Sequence, residues 1–248
     1  MMRVLLTPVV LVALVGGALA QDTNRTNFSA EQRAEVLAIL RDALRSDPSI
    51  LRDAITALQE SDRAAKEAAA REALAASADA LFRDPADPEK GNPRGDVTVV
   101  EFFDARCGYC RTFHSTMQAL LQRDRNVRVV LKDLPILGPS SVLASRALLA
   151  AQRQGKYEAL FDALLRLRTD TPETVIQAEA QRAGLDWTRL RRDMEDPAIT
   201  RRIEANTALA QRLGIEGTPA LVVGNTLVSG AVDLNELERL VREARARR

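Results

Sequence analysis

The spacing of hydrophobic positions predicts two short amphipathic helices near the start of the chain. Apolar side chains recur three and four positions apart in two stretches, at Val36, Leu37, Leu40 and Leu44 and at Leu51, Ile55 and Leu58. Ser29 and Gln32 form a capping-box pattern ahead of the first helix. Asp47 and Pro48 end that helix and begin the second.

A polar helical stretch follows at residues 61–82, where Ala, Arg, Glu and Lys dominate. A helix that is polar nearly all round is a spacer between bodies, pairs with copies of itself, or lies on the surface of a neighbouring domain. Pro and Gly then interrupt residues 84–95. We therefore predict an N-terminal helical segment and linker at residues 21–90 and a second domain at residues 91–248.

The second domain begins with the pattern of a β-α-β unit. Residues 97–103 and 127–131 are rich in β-branched and aromatic side chains, which predicts two strands. Apolar positions of helical spacing lie between them, from Cys107 onward. Because strands joined by a crossover helix run in the same direction, we expect these two strands to be parallel.

A long helical stretch and a hairpin complete the domain. Several helices are predicted over residues 139–213, and two short strands at 220–223 and 226–229 are joined by the hairpin signal Gly224-Asn225. Asp233 caps a final helix. The order β-α-β, helices, β-β-α predicts an α/β domain with a helical insertion, preceded by an all-α segment.

The two cysteines of the chain are spaced C-x-x-C, directly after the first strand. If the helix begins at Cys107, the Cys107 and Cys110 sulfurs lie on one face and can form a disulfide in place. Cys107 then sits at the positive end of the helix dipole, which favours its thiolate. We interpret Cys107 as the nucleophile and the more buried Cys110 as the resolving thiol.

Two other interpretations of the cysteine pair compete with redox chemistry. A structural disulfide would close too short a loop to constrain the unfolded chain. A zinc site needs four ligands, whereas the chain offers two cysteines and the single histidine His114. His114 lies one turn beyond Cys110, where it either contacts that thiol or covers a helix face. We predict no metal site and no cofactor besides the redox-active disulfide Cys107–Cys110.

Residues 1–20 have the pattern of a signal peptide. Arg3 precedes an apolar run at residues 4–17, and Ala18-Leu19-Ala20 forms a small-residue cleavage site. The alternative is an uncleaved membrane anchor. Cleavage before Gln21 removes one of 35 basic residues and leaves 34 against 34 acidic residues, so the charge balance gives no reason to expect a nucleic-acid partner.

Three motifs together resemble the DsbA-type thioredoxin-fold oxidoreductases: Glu101-Phe102-Phe103, Cys107-Gly108-Tyr109-Cys110 and Gly217-Thr218-Pro219-Ala220. The resemblance implies an α/β thioredoxin fold with a helical subdomain inserted at about residues 139–213. It implies that Glu101 is a buried carboxylate that relays the proton of Cys110, the alternative being a surface glutamate at a strand edge. It also implies that Thr218-Pro219 is a cis-proline loop that offers its backbone to a bound peptide.

Gly108 and Tyr109 are the candidate substrate-contacting residues between the cysteines. Strongly oxidising members of the family carry a histidine in this dipeptide, and this chain does not. With one fewer donor to the thiolate, we expect a reduction potential between about −120 and −270 mV.

The front of the chain resembles the suppressor-of-copper-sensitivity C (ScsC) proteins. Gln32-Arg33-Ala34-Glu35, residues 44–51 and residues 134–141 carry this resemblance. It implies a periplasmic protein that isomerises or reduces wrong disulfides in unfolded or misfolded exported proteins. It further implies a membrane thiol reductase or oxidase as partner, and a homo-oligomer formed through residues 28–83. A monomeric oxidase, a Cu(I)-binding copper-tolerance protein and an inert binding module remain alternatives.

Overall fold

The computed structural model describes residues 28–247. The predicted signal peptide at residues 1–20 and the predicted mature start at Gln21 lie outside this range. The chain divides into two compact units, with the border between Glu60 and Ser61.

The first unit contains helix α1 (Ala30–Ser46) and the first part of helix α2 (Ser49–Ala76). The predicted capping box is confirmed, because Ser29 Oγ accepts from the Gln32 amide at 3.2 Å and Gln32 Oε1 accepts from the Ser29 amide at 2.9 Å. Asp47 Oδ1 accepts from the Ser49 amide at 3.0 Å, which caps α2. No residue of α1 is buried.

Helix α2 is longer than the sequence analysis predicts. It joins the second amphipathic helix and most of the polar stretch into one helix of 28 residues. The physical reason is composition: Ala, Glu, Lys and Arg favour helix, and neither Gly nor Pro interrupts residues 49–76.

The second unit is built on a five-stranded sheet in the order β1-β3-β2-β4-β5. Its strands are β1 (Glu89–Gly91), β2 (Val97–Phe103), β3 (Val127–Asp133), β4 (Ala220–Val223) and β5 (Thr226–Ser229). Strands β2 and β3 are parallel, as predicted, and the other pairs are antiparallel. The predicted hairpin at Gly224-Asn225 is confirmed, with Gly224 at a φ of 59° that favours glycine.

Helices cover the sheet and form the insertion between β3 and β4. Helix α3 (Ala78–Phe82) precedes the sheet, α4 (Gly108–Arg123) joins β2 to β3, and α10 (Leu234–Ala246) follows β5. The insertion consists of α5 (Pro139–Gln152), α6 (Tyr157–Arg166), α7 (Glu173–Arg182), α8 (Trp187–Met194) and α9 (Pro197–Arg212). This arrangement confirms the predicted fold class.

The Pro- and Gly-rich segment at residues 84–95 belongs to the second unit, whereas the sequence analysis assigns most of it to a linker ending near residue 90. Strand β1 within this segment pairs with β3. Asp87 is buried and pairs with Lys132 and Arg202. Turn residues mark where the chain bends, and they carry no signal for these pairings with distant residues.

The two faces of the sheet bury different side chains. Along β2, Val99 and Phe103 point into the larger hydrophobic core, which α4, α5 and α6 share. Val100 and Phe102 point into a smaller core on the opposite face, with Leu81 of α3 among its members. Because side chains alternate along a strand, Glu101 lies on the face of the larger core.

Among the helices of residues 28–247, none combines the length and the apolar composition that crossing a membrane requires.

Candidate active site

Cys107 and Cys110 lie where β2 gives way to α4. Cys107 is the N-cap residue of α4, with an extended backbone, so the helix begins one residue later than the sequence predicts. The Cys107 amide donates to the Asp104 carbonyl at 3.0 Å, and the Cys107 carbonyl accepts from the Arg111 amide at 3.0 Å. Both thiols are free. Cys107 retains 8% of its surface exposed and Cys110 none, so a reacting molecule meets Cys107 first.

The surroundings of Cys107 favour its thiolate. Hydrogen bonding from the Cys110 thiol is the largest cause, and the Thr218 side chain and the amides of Cys110 and Tyr109 add to it. Partial burial of the sulfur opposes these donors. Together they lower the pKa of Cys107 from 9.0 to about 5. At neutral pH the sulfur is therefore a nucleophile.

Cys110 has the opposite character. Its hydrogen bond to Cys107 is the largest cause that raises the pKa of the Cys110 thiol, and its burial and the charge of Glu101 raise the pKa further. The thiol therefore stays protonated until its surroundings change. Two sulfurs one helical turn apart thus differ in charge, as an attacking and a resolving thiol require.

The predicted cis-proline loop is confirmed and lies against Cys107. The Thr218–Pro219 peptide bond is cis. The Cys107 thiol donates to the Thr218 carbonyl, with 3.2 Å between sulfur and oxygen. A cavity of about 220 Å³ adjoins this loop, lined by residues 214–219 and by Ser229 and Gly230. Strand β4, which follows this loop, is paired on both sides, so the backbone of the loop itself, beside the nucleophile, is what suits an extended peptide.

Glu101 lies on β2 with only 2% of its surface exposed, which makes the surface-glutamate alternative wrong. Burial raises the pKa of Glu101 to about 8, and the charge of Lys90 opposes that rise. The expected burial of Glu101 is therefore confirmed. A carboxyl group with this pKa can accept and release a proton near neutral pH.

Gly108 and Tyr109 lie at the open side of the pair. The Tyr109 side chain is largely exposed, at 74%, which is exceptional for a large ring. A Cβ added at Gly108 would meet no atom within 4 Å. The dipeptide therefore leaves the approach to Cys107 open and offers an aromatic surface beside it.

Asp104 organises the rim of the site, a role that the sequence analysis missed. Its carboxylate is fully buried and accepts from the amides of Ile136 and Leu137 at 2.9 and 3.1 Å and from Ser141 Oγ at 2.9 Å. Ile136 and Leu137 are thereby held at Asp104, three residues before Cys107 in the chain, with half-exposed apolar side chains. A charged residue directly after a buried strand is the signal that could have indicated this role.

His114 is buried, with its ring edge-on to Phe161 at 5.4 Å between centroids. Its Nε2 lies 3.5 Å from Asp162 Oδ1. Burial lowers the pKa of His114 to about 4, so the ring is neutral in the physiological range. Among the residues that the structure describes, no group of three or more His, Cys, Asp or Glu side chains is placed to hold a metal ion.

Two family models match the chain. Residues 98–242 match the DSBA-like thioredoxin domain, and residues 32–65 match the Copper resistance protein ScsC N-terminal domain. The chain spans about a quarter of the length of the curated relatives that it matches first. One of these is Na(+)/H(+) antiporter NhaA 3 from Salinispora tropica, with 30% identity over 166 residues, 64% of this chain and 26% of that protein.

Solved structures of similar proteins cover between 68% and 89% of this chain. A thioredoxin-like oxidoreductase from Silicibacter pomeroyi is 49% identical, with TM-score 0.66 over 68% of this chain and 97% of that one. Proteus mirabilis ScsC in a transitional conformation is 34% identical, with TM-score 0.67 over 89% and 100%. A periplasmic thioredoxin-like protein from Salmonella enterica serovar Typhimurium is 34% identical, with TM-score 0.62 over 68% and 95%.

Proposed function

The chain belongs to the DSBA-like thioredoxin domain family of thiol-disulfide oxidoreductases, and on that premise we propose that it is an exported enzyme that isomerises or reduces wrong disulfides in other proteins. The observation that carries the proposal is the charge asymmetry of the pair: a low-pKa Cys107 that keeps a small exposed area and a protonated Cys110 behind it. Cys107 attacks a substrate disulfide, and Cys110 then releases the enzyme from the mixed disulfide.

The pKa of Cys107 is compatible with isomerase or reductase work. A strongly oxidising disulfide of this fold has a nucleophile with a pKa near 3.5, and a reducing one has a pKa near 7. A value of about 5 lies between them. Because a less stabilised thiolate makes the dithiol a better reductant, an intermediate potential allows the pair to be kept reduced by a membrane thiol reductase.

The first unit supports an oligomer formed through the N-terminal helices. Its apolar side chains remain about half exposed, between 46% and 62%, namely Val36, Leu37, Ile39, Leu40, Ile50, Leu51, Ile55 and Leu58. A contiguous apolar face on a helix favours burial against another helix. We propose that copies of the chain pair through this face, which would gather several Cys107 thiolates around one misfolded substrate.

Export to the periplasm is part of the proposal. The signal-peptide pattern of residues 1–20 supports it, and so does similarity to the periplasmic thioredoxin-like protein of Salmonella. An oxidising compartment is also where proteins with wrong disulfides occur. Mass spectrometry of the protein from a periplasmic extract tests this step, with Gln21 expected as the first residue and an intact Met1 contradicting cleavage.

Refolding of scrambled ribonuclease in a reducing buffer tests the isomerase proposal. The full mature chain should restore ribonuclease activity, and Cys107→Ser should not. A chain lacking residues 21–60 should lose oligomeric mass and most of this recovery while still reducing insulin. A monomeric full chain with a potential near −120 mV would instead favour the oxidase alternative.

A further inference from the structure

Lys90 on β1 is a buried lysine whose position the sequence does not indicate. Its side chain is only 4% exposed, and its ammonium donates to Asp162 Oδ1 on α6 at 2.5 Å. The ammonium also lies 5.2 Å from the centroid of the Phe161 ring. Burying an ammonium is costly unless it is paired, and Asp162 supplies the pairing here.

The register of the sheet places Lys90 on the same face as Glu101. Lys90 is opposite Val129 on β3, and Val129 is opposite Val99 on β2. Opposed residues point to one face, and Glu101 is two residues beyond Val99, so its side chain shares that face. Consistent with this geometry, the charge of Lys90 opposes the rise that burial causes in the pKa of Glu101.

Other titratable groups surround the Lys90–Glu101 region. On α4, the charge of Glu101 acts on the pKa of Cys110. The charges of Asp162, Lys90 and Arg166 act on the pKa of His114. On α6, the charge of Glu101 acts on the pKa of Tyr157, and Glu158 Oε1 lies 3.5 Å from Lys90 Nζ. Asp133 on β3 accepts from the Tyr157 hydroxyl at 2.8 Å. Glu158 is 59% exposed and Asp162 19%, so Glu158 is the member of this cluster nearest to solvent.

We propose that Lys90, anchored by Asp162, is a positioning residue for the resolving step, because its ammonium keeps Glu101 able to ionise and take the proton of Cys110. This inference rests on the proposed function. In the step, the Cys110 proton passes to the Glu101 carboxylate, and the Cys110 thiolate attacks Cys107 Sγ. The Cys107–Cys110 bond forms and the bond from Cys107 to the substrate sulfur breaks. The pair is oxidised, the substrate sulfur leaves reduced as a thiolate, and solvent protonates it.

Lys132 provides a matched control on the opposite face of the sheet. It is opposite Phe102, whose side chain points away from Glu101. Its side chain is 2% exposed, pairs with Asp87 and donates to the Ala80 carbonyl at 2.7 Å. Lys132→Met therefore removes an equally buried ammonium from a buried ion pair. The Lys132 side chain does not face the cysteines.

The test follows the carboxyl titration of Glu101 by NMR in the full reduced chain labelled at glutamate, with Glu101→Gln to assign the signal. Lys90→Met should raise the midpoint by about one pH unit, because a nearby cation is lost. Asp162→Asn should lower it, because the anion that offsets Lys90 is lost. Lys132→Met should leave it unchanged. A merely structural role would not give shifts of opposite sign.

The rate of the resolving step gives a second readout, measured by stopped flow after mixed-disulfide formation. At pH 7, Lys90→Met should slow this step about tenfold, in proportion to one pH unit, and a higher pH should restore it. The attack by Cys107 should keep its rate. Equal shifts in Lys90→Met and Lys132→Met, or shifts of the same sign in Lys90→Met and Asp162→Asn, would overturn the inference.

If Lys90→Met does not fold, Asp162→Asn and Lys90→Arg decide the question, since the first should lower the Glu101 midpoint and the second should keep it near the wild-type value. An unmoved midpoint in Asp162→Asn would then refute the inference. The NMR titration needs no turnover, so it tests the electrostatic role of Lys90 separately from the proposed function. A midpoint that moves as expected in a chain without reductase or isomerase activity would refute the proposed function and leave the electrostatic role of Lys90 standing.

Discussion

The two cysteines of one motif lie in opposite surroundings, Cys107 at the rim of the site and Cys110 at its floor. At the rim, hydrogen bonds from the Cys110 thiol, from the Thr218 side chain and from the amides at the start of α4 lower the pKa of Cys107 to about 5. At the floor, Cys110 is fully buried beside Glu101, and its pKa is raised. The difference follows from position along the first helical turn, because Cys107 accepts hydrogen bonds at the helix end, including one from Cys110, whereas Cys110 donates to Cys107 and is buried.

The rim has a second property that the floor lacks, which is exposed apolar surface. Tyr109, Ile136 and Leu137 are each about half or more exposed; Tyr109 lies between the cysteines, and Asp104 holds the amides of the other two. The floor instead buries titratable groups, Glu101 and Lys90 among them. Binding chemistry thus lies at the rim and proton chemistry at the floor.

Replacing the rim thiol should have the largest effect. Cys107→Ser removes the thiolate that attacks, so reduction of insulin disulfides by dithiothreitol should fall to the uncatalysed rate. Turbidity of the released insulin chain measures this. Activity above a few per cent of the wild type would mean that Cys110 can attack by itself, which would break the contrast between rim and floor.

Replacing the floor thiol should stop turnover while leaving the first step intact. Cys110→Ser keeps the nucleophile but cannot resolve the mixed disulfide, so the covalent complex with a substrate peptide should accumulate. Mass spectrometry without reductant detects it. The same complex in Cys107→Ser, or none in Cys110→Ser, would reverse the assigned roles.

Glu101→Gln should change how stability depends on pH, measured by urea unfolding of the oxidised protein, in which neither cysteine titrates. The folded pKa of about 8 lies above the ordinary 4.5, so the wild type keeps its full stability below about pH 4.5 and loses it as pH rises towards 8. The loss is on the order of 5 kcal/mol. Glu101→Gln should lack this loss, and parallel pH profiles for the two proteins would contradict the raised pKa.

The smallest effect is expected at the exposed ring of the rim. Tyr109→Ala removes apolar contact area but no reacting group, so KM for a peptide disulfide should rise about threefold and kcat should stay constant. Tyr109→Phe keeps the ring and should resemble the wild type. A fall in kcat for Tyr109→Ala would assign the ring a role in the chemistry of the floor.

The sequence could predict those parts of the site that lie close together along the chain. The strand to Phe103, the helix after Cys107 and the difference between the two cysteines all follow from local pattern and helix geometry. The cis form of Thr218–Pro219 came from family resemblance, because sequence alone favours trans. The helical insertion was predicted as a stretch, and its five helices follow its punctuating Gly and Pro residues.

The parts that the sequence could not predict depend on contacts between distant residues. Lys90 lies in a segment whose Pro and Gly residues indicate a linker, yet β1 brings its side chain to the core face of the sheet. Asp162 is one of many acidic residues on helices, and its pairing with Lys90 joins residues 72 positions apart. The single helix α2 was divided in the prediction because its apolar stripe ends before its helix does.

The titration of Cys107 tests the central claim most directly. The absorbance of the thiolate near 240 nm, followed from pH 3 to pH 10 in the reduced wild-type chain with Cys107→Ser as the blank, isolates this sulfur. The account predicts a midpoint at about pH 5. A midpoint near the ordinary value of 9.0 would mean that Cys110, Thr218 and the helix start do not activate Cys107, and it would contradict the account.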